Sequence, residues 1–269
     1  MTDWLHIARG DAPLIVAVPH AGTVIPDDCA AALVAERAIF DTDWHVHRLY
    51  DFARDLGATL IRTDISRTVI DMNRDPSGAS LYPGQATTEL CPTTTFDGEP
   101  LHHPGMAPDE AEIAARRARF HTPYHAAIRA EIARLRALHP AIILYDAHSI
   151  RSRVSRLFDG ELPEFNIGSV GGTSCAPALV DRVETLAQAS GRSLVVDGRF
   201  RGGWTTRHHG QPAAGVHAIQ MELAQRAYCD EAAPSHWDPA LAAPVTETLS
   251  QILTACIIFA TKDSSGAQA

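Results

Sequence analysis

The sequence is short of positive charge. Lysine and arginine number 23 against 32 aspartates and glutamates, a formal net charge of −9 at pH 7 with histidine neutral. That balance argues against a nucleic-acid surface, which needs a basic patch, so any anionic ligand must be met by a local cluster of cations. Paired cysteines are missing as well. The five cysteines are odd in number and scattered, with no C-x-x-C spacing; this speaks against a disulfide framework and for reduced thiols in a cytoplasmic protein. No apolar run approaches a membrane span, "ILTACIIFA" being too short, so no membrane segment is expected. The opening "MTDWLHIARG" lacks the basic start and apolar core of a signal peptide. No internal repeat or linker interrupts the chain, and a single domain over residues 1–269 is expected. The tail from about 262 to 269, "KDSSGAQA", has no apolar anchor and is expected to be disordered.

What is present alternates. Apolar runs that read as strands fall at Leu14–Val18, Thr59–Ile61, Val69–Ile70, Ala141–Tyr145, Phe165–Val170, Ser193–Val196 and Val216–Leu223. Helical patterns lie between them, in "CAAALVAERA", in "DTDWHVHRLYDFARDLGA" with Gly57 as its stop, and in "SCAPALVDRVETLAQASG" behind a serine cap. The longest, residues 109–140, should bend or split at Pro123, and "PVTETLSQILTACIIFATK" closes the chain. Strands alternating with helices imply an α/β fold, a three-layer α/β/α sandwich around a mixed, largely parallel sheet. The stretch from about Asp75 to Pro108, rich in Gly, Pro, Thr and His, is either an active-site flap or a plain surface excursion.

Two strands run into histidine: "APLIVAVPH" stops at His20, and "AIILYDAHSI" carries Asp146 and His148. Ligands of open α/β sheets sit at the carboxyl ends of strands. Two imidazoles converging there suit a catalytic zinc, which takes three protein ligands and leaves a place for water. The third ligand should be a carboxylate or another histidine. Asp43 is the first choice; Asp41 competes but is better placed as a helix N-cap. Asp146 can instead hold an imidazole in the right tautomer. The other histidines make weaker ligands. His121 and His125 are four apart, but Thr122 stands where a zincin motif has glutamate; His45 with His47, His102 with His103 and His208 with His209 diverge or crowd. On the last strand Val216, Ala218, Gln220 and Glu222 share a face. Glu222 is then either a general base with a raised pKa or an ordinary carboxylate already in solvent. Arginines in "ISRTVIDMNRDP" and "GRFRGGWTTRHHG" supply the positive counterpart and suggest a small acidic substrate.

"VPHAGTVIP", "DTDWHVHRLYD", "SRTVIDMNRDPSGASLYPG", "DAHSI", "GRFRGGWTTRHHG" and "GVHAIQMELAQRAY", in that order, resemble the N-formylglutamate deformylase (N-formylglutamate amidohydrolase) family over about residues 13 to 230. The resemblance implies a zinc-carboxypeptidase-like fold and one divalent metal ion, Zn2+ by preference. It also implies hydrolysis of N-formyl-L-glutamate to formate and glutamate, the last step of one route of histidine degradation. By the same resemblance Asn73 and Arg74 grip a substrate carboxylate, Arg67 polarises the scissile carbonyl, and Glu222 is the base. The wider group binds metal through H-x-x-E, but Thr23 stands three residues after His20; the family's "DTDW" makes Asp43 the carboxylate ligand beside His20 and His148. Arg207 is expected to share the substrate's two carboxylates with Asn73 and Arg74, and Tyr82 or Trp204 to line the pocket. An amidohydrolase for another N-acyl acidic amino acid and a non-catalytic binding protein are the competing readings. Monomer and small homo-oligomer stay equally open.

Overall fold

The computed structural model describes residues 3–262. Among them, strands β1 (Leu5–Ala8), β2 (Leu14–Val18), β3 (Thr59–Thr63), β4 (Ile142–Ile150), β5 (Phe165–Gly168), β6 (Leu194–Val196) and β7 (Val216–Ala224) form one sheet in the order β1-β3-β2-β4-β7-β5-β6. The central neighbours β3, β2, β4 and β7 run parallel, and β5 and β6 are parallel to each other; β1 on β3 and β5 on β7 are antiparallel. This is the mixed, largely parallel sheet expected from the alternation of elements. Between β2 and β4 the connectivity switches, since β3 lies on one side of β2 and β4 on the other. Such a switch point opens a crevice at the strand ends.

The helices are α1 (Asp27–Ala30), α2 (Val46–Leu49), α3 (Glu110–Arg116), α4 (Thr122–Arg136), α5 (Pro177–Ala189), α6 (Trp204–His209) and α7 (Pro239–Lys262). Alternation along the strands sorts the apolar side chains into two cores. Ile143, Tyr145 and Ala147 of β4 join Ile219, Met221 and Leu223 of β7 under α5 and α7. Ile142, Leu144, Val216 and Ala218 point the other way, onto Tyr124, Ile128 and Leu135 of α4. The five cysteines are buried and free.

Several local expectations are corrected. "CAAALVAERA" makes only the single turn α1 and then irregular turns, because Leu33 and Ala38 pack beneath Leu101 of the long loop. "DTDWHVHRLYDFARDLGA" starts its helix only at Val46, after His45 at φ 60°, and runs from α2 into a tight 3-10 turn at Asp51–Arg54. Val69–Ile70 is buried but not a strand; the backbone turns from Ser66 onward. The long segment stays helical from Glu110 to Arg136 rather than splitting at Pro123, its hydrogen bonding widening to a π turn over Arg117–His121 just before that proline. Ser174 does not cap α5; Ala176 precedes it without a side-chain cap, while the Ser174 hydroxyl donates to Ala218 O. α7 also revises the membrane reading: Pro239–Thr261 is, by length and mean hydropathy of 1.4, long and apolar enough to cross a bilayer. Its stripe of Val245, Leu249, Ile252, Leu253 and Cys256 is instead part of the core under the sheet. The expectation about the tail falls outside the described residues beyond Lys262.

Candidate active site

β4 does not stop at Tyr145. It continues through Asp146, His148 and Ile150, buried along its whole length. Asp146 and His148 share the face of Leu144, so two polar side chains leave the sheet where the α4 core ends. The parallel register on β7 pairs Asp146 with Gln220 and His148 with Glu222. His20 follows β2, the other neighbour of β4. Asp43 is drawn in by backbone: its N–H donates to His20 O at 3.1 Å, and Ser149 N–H donates to Asp43 Oδ2 at 3.0 Å.

The result is a buried triad. His148 Nδ1 lies 3.1 Å from His20 Nδ1 and 3.2 Å from Asp43 Oδ2, and His20 Nδ1 lies 3.7 Å from the same oxygen. Donors at zinc-like bond lengths of about 2.0–2.1 Å stand about 3.3 Å apart at the corners of a tetrahedron. The three atoms therefore have the spacing of three such corners, and His20, Asp43 and His148 are the cluster among the described residues able to hold a metal ion. The second nitrogen of each imidazole meets a carboxylate, His20 Nε2 at 2.7 Å from Asp71 Oδ1 and His148 Nε2 at 3.0 Å from Asp146 Oδ2. With the Nε2 protons directed at those carboxylates, the Nδ1 atoms are the ones left to ligate. Two nitrogens and one carboxylate oxygen suit zinc or a similar divalent ion.

The charges agree. Burial alone would raise the pKa of Asp43, but hydrogen bonding to His148 and His20 and the nearby Arg67 outweigh it and keep it ionised. Arg67 donates to Asp43 Oδ1 at 3.0 Å and to Asp71 Oδ2 at 2.8 Å, with its guanidinium 4.7 Å from the centre of the Phe96 ring. Glu222 differs: burial pushes its carboxyl up to about 8, with His148 opposing and Asp43 adding to the rise. Gln220 steadies it, with Nε2 at 3.4 Å from Glu222 Oε2 and Oε1 accepting from Gly203 N–H at 2.7 Å. A carboxyl able to exchange a proton near neutral pH thus stands beside the triad.

The segment 66–74 forms the opposite wall. The turn that forms here sets Arg67 against Asp43, Asp71 against His20 and Asn73 against His148, while Arg74 lines the cleft beside them. Asn73 Nδ2 donates to Asp146 Oδ2 at 2.9 Å and lies 2.8 Å from His148 Nε2, while its Oδ1 accepts from Thr205 N–H at 2.7 Å. Gly203 makes this approach possible. A Cβ there would sit 2.3 Å from Asn73 Nδ2, an amide held in place by Asp146 and Thr205 N–H. Gly203→Ala is expected to cost about 1–3 kcal/mol of stability through overpacking, with Asn73 displaced. Urea denaturation together with turnover checks it, and an unchanged midpoint with full activity would contradict the packing.

Behind Asn73 and Arg74 lies a histidine relay. His125 Nε2 donates to Met72 O at 2.8 Å and His121 Nε2 to Arg74 O at 3.0 Å, so the two carbonyls flanking this pair are fixed from α4 and the π turn. His125 Nδ1 then accepts from His209 Nε2 of α6 at 3.0 Å. Burial, with His208 nearby, lowers the His209 pKa to about 3, and burial also holds His125 well below its usual value. Above about pH 6.5 both histidines are neutral folded or unfolded, and their contribution is complete. As pH falls below that value the unfolded chain takes up protons that the folded chain refuses. Stability therefore declines by roughly 1.4 kcal/mol per pH unit for each such histidine. Denaturation midpoints between pH 7 and 4 should fall more steeply for the native chain than for His209→Gln, and equal slopes would contradict this.

The open cleft over the triad is lined by Arg67, Asn73, Arg74, Tyr82, Glu222 and, among others, Arg199. Of the expected pocket residues, Arg207 and Trp204 are not among its lining. Arg207 Nε donates to Gly202 O at 2.9 Å with its guanidinium over the Tyr82 ring, and Trp204 stacks on His208. Tyr82 OH donates to Gly202 O at 2.8 Å, tying the loop 75–108 across the cleft. Asp41 turns away from the imidazoles to accept from Phe96 N–H at 2.7 Å and to pair with Arg151. Sequence reasoning passed over Asp71, gave Gln220 no role, and did not choose Arg199 from among the arginines of the glycine-rich stretch. An aspartate inside the apolar run "TVIDM", four residues after Arg67, was the signal for the first.

The sequence profile of the N-formylglutamate amidohydrolase family matches residues 12–229. An N-formylglutamate deformylase of Pseudomonas aeruginosa is 48% identical over 261 residues, covering 96% of this chain and 98% of that one. A second, from Pseudomonas putida, is 46% identical over 257 residues, covering 95% and 96%. In fold, the chain is similar to the crystal structure of N-formylglutamate amidohydrolase from Ralstonia eutropha JMP134, with a TM-score of 0.81 at 23% identity over 97% of this chain and 99% of that one. With a profile matching most of its length and relatives near half identity from end to end, this chain belongs to the N-formylglutamate amidohydrolase family.

Proposed function

We propose that the protein hydrolyses N-formyl-L-glutamate to formate and L-glutamate, with one divalent cation, Zn2+ by its donor set, held by His20, Asp43 and His148. The observation that carries this reading is the β4–β7 register, which stands Glu222, a buried carboxyl of raised pKa, opposite His148 and beside the triad. The names of the relatives supply the substrate. A bound divalent cation contributes Lewis-acid polarisation of a carbonyl and a water of lowered pKa. Glu222 takes the proton of the water that adds to the formyl carbon and delivers it to the amide nitrogen as the C–N bond breaks. Arg67, immobilised by Asp43 and Asp71, faces the oxygen on which charge develops; one such donor is typically worth on the order of a hundredfold or more in rate. Asn73 and Arg74 hold a substrate carboxylate, and Tyr82 closes the cleft from the loop side.

We read the helices on the two sheet faces as the outer layers of a three-layer α/β/α sandwich of zinc-carboxypeptidase type, one domain throughout. The reaction fits the final step of a histidine-degradation route in the cytoplasm. The test is a formate-release assay on N-formyl-L-glutamate with metal analysis before and after chelation, run beside N-acetyl-L-glutamate and N-formyl-L-aspartate. Loss of formate release on chelation and recovery with zinc are expected, with the N-formylglutamate rate the highest. Full activity in a metal-free protein would remove the cation, and a faster N-acetyl substrate would reassign the acyl group.

A further inference from the structure

Three guanidinium groups line the cleft, and two already have anions. Arg67 is shared between Asp43 and Asp71, and Arg74 lies 3.7 Å from Asp71 Oδ2 while also donating to Thr88 O and Oγ1. Arg199 has no carboxylate within ion-pair distance among the described residues. It is nevertheless held in place. Its Nε donates to Leu157 O and one terminal nitrogen to Ala86 O, both at 2.7 Å, and its guanidinium lies 5.4 Å from the ring centres of both Tyr82 and Phe200. Two carbonyls and two rings fix the group and supply no charge. Burial pushes its pKa below the usual guanidinium value, as expected for a cation waiting for an anion.

We propose that Arg199 is the specificity cation of the cleft, receiving the side-chain carboxylate of the acyl-amino acid and so selecting an acidic over a neutral side chain. This rests on the reading of the site as an N-formylglutamate hydrolase. The α-carboxylate is one carbon from the scissile nitrogen. It belongs with Asn73 and Arg74, because Asn73 touches His148 itself. The contacts of Arg199 are to Leu157, Ala86, Tyr82 and Phe200, none of them in the triad. Leu157, Phe200 and Ala86 also line the cleft, giving the methylenes of a glutamate side chain an apolar wall that ends at a guanidinium. A planar fork with no counter-ion matches a carboxylate in two-point contact. It disfavours the isosteric amide, which would leave the half-buried charge without a counter-ion.

The experiment compares the metal-loaded native enzyme with Arg199→Gln and Arg199→Lys on N-formyl-L-glutamate and on N-formyl-L-glutamine, with thermal unfolding of each. For Arg199→Gln, KM for N-formylglutamate should rise at least about tenfold with kcat within a few-fold, since the contact is made equally in ground and transition states. Its kcat/KM for N-formylglutamine should hold, so that the preference between the two substrates collapses. Arg199→Lys should fall between, keeping the charge and losing the fork. Equal losses on both substrates in both variants would make Arg199 a tie for the loop and overturn the proposal. A native enzyme that releases no formate from N-formylglutamate would take down the functional reading and this inference with it, and the native measurements alone reveal that case.

Discussion

Glu222→Gln is expected to retain its metal and lose activity, with kcat for formate release down by roughly 10²–10⁴-fold. Glutamine keeps the shape of the side chain on β7 and its place in register with His148. It removes the one feature the mechanism asks of this position, a carboxylate that takes and returns a proton. Glu222 is not one of the three clustered donors, so metal content by mass spectrometry should stay near that of the native protein. The fold should hold as well. A carboxyl pushed up to about 8 by burial is uncomfortable as an anion, and a neutral amide relieves that penalty, so the unfolding midpoint should stay or rise. Retained metal with unchanged turnover would sink the assignment of the base. Lost metal would instead make Glu222 a ligand.

His148→Ala should lose the ion itself. The triad has three protein donors, and a carboxylate partner behind a ligand is alone typically worth 10–100-fold in affinity, so losing the ligand outright should cost considerably more. After dialysis against a metal-free buffer, bound metal should fall to about a tenth of an ion per chain or less, with no measurable formate release. Removing the imidazole also leaves Asn73 and Asp146 without their shared partner, at a cost of about 1–3 kcal/mol. Asp146→Asn is the companion variant: it keeps both imidazoles and should weaken metal binding by roughly 10–100-fold. A stoichiometric ion in His148→Ala would mean that the cation binds elsewhere.

Much of the site was legible because the chemistry is local. A histidine at the end of an apolar strand, a glutamate on the polar end of another, and an Asn-Arg pair after an apolar run stand out in the sequence. Each of His20, His148, Glu222, Asn73 and Arg74 lines the cleft. The arginine of the glycine-rich loop was less legible. "GRFRGGWTTRHHG" offers three, and composition does not say which faces inward; Arg199 lines the cleft while Arg207 packs outside on Tyr82. Val69–Ile70 misled for a related reason. Two β-branched residues read as strand whether they lie in a sheet or in a buried turn, because burial, not extension, selects them.

The amino-acid sequence by itself determined the alternation of strands and helices, the two apolar faces of the central strands, and the residue types able to bind a cation or move a proton. Those follow from side-chain periodicity and from the chemistry of single groups. Tertiary structure alone decided how the groups meet. Asp43 rather than Asp41 reaches the imidazoles because the His20 carbonyl and the Ser149 N–H draw it in. Glu222 faces His148 because two strands far apart in the chain pair in one register and not the next. A slip of a single residue would send that carboxylate to the opposite face of the sheet, and no pattern within either strand records which register the pair adopts.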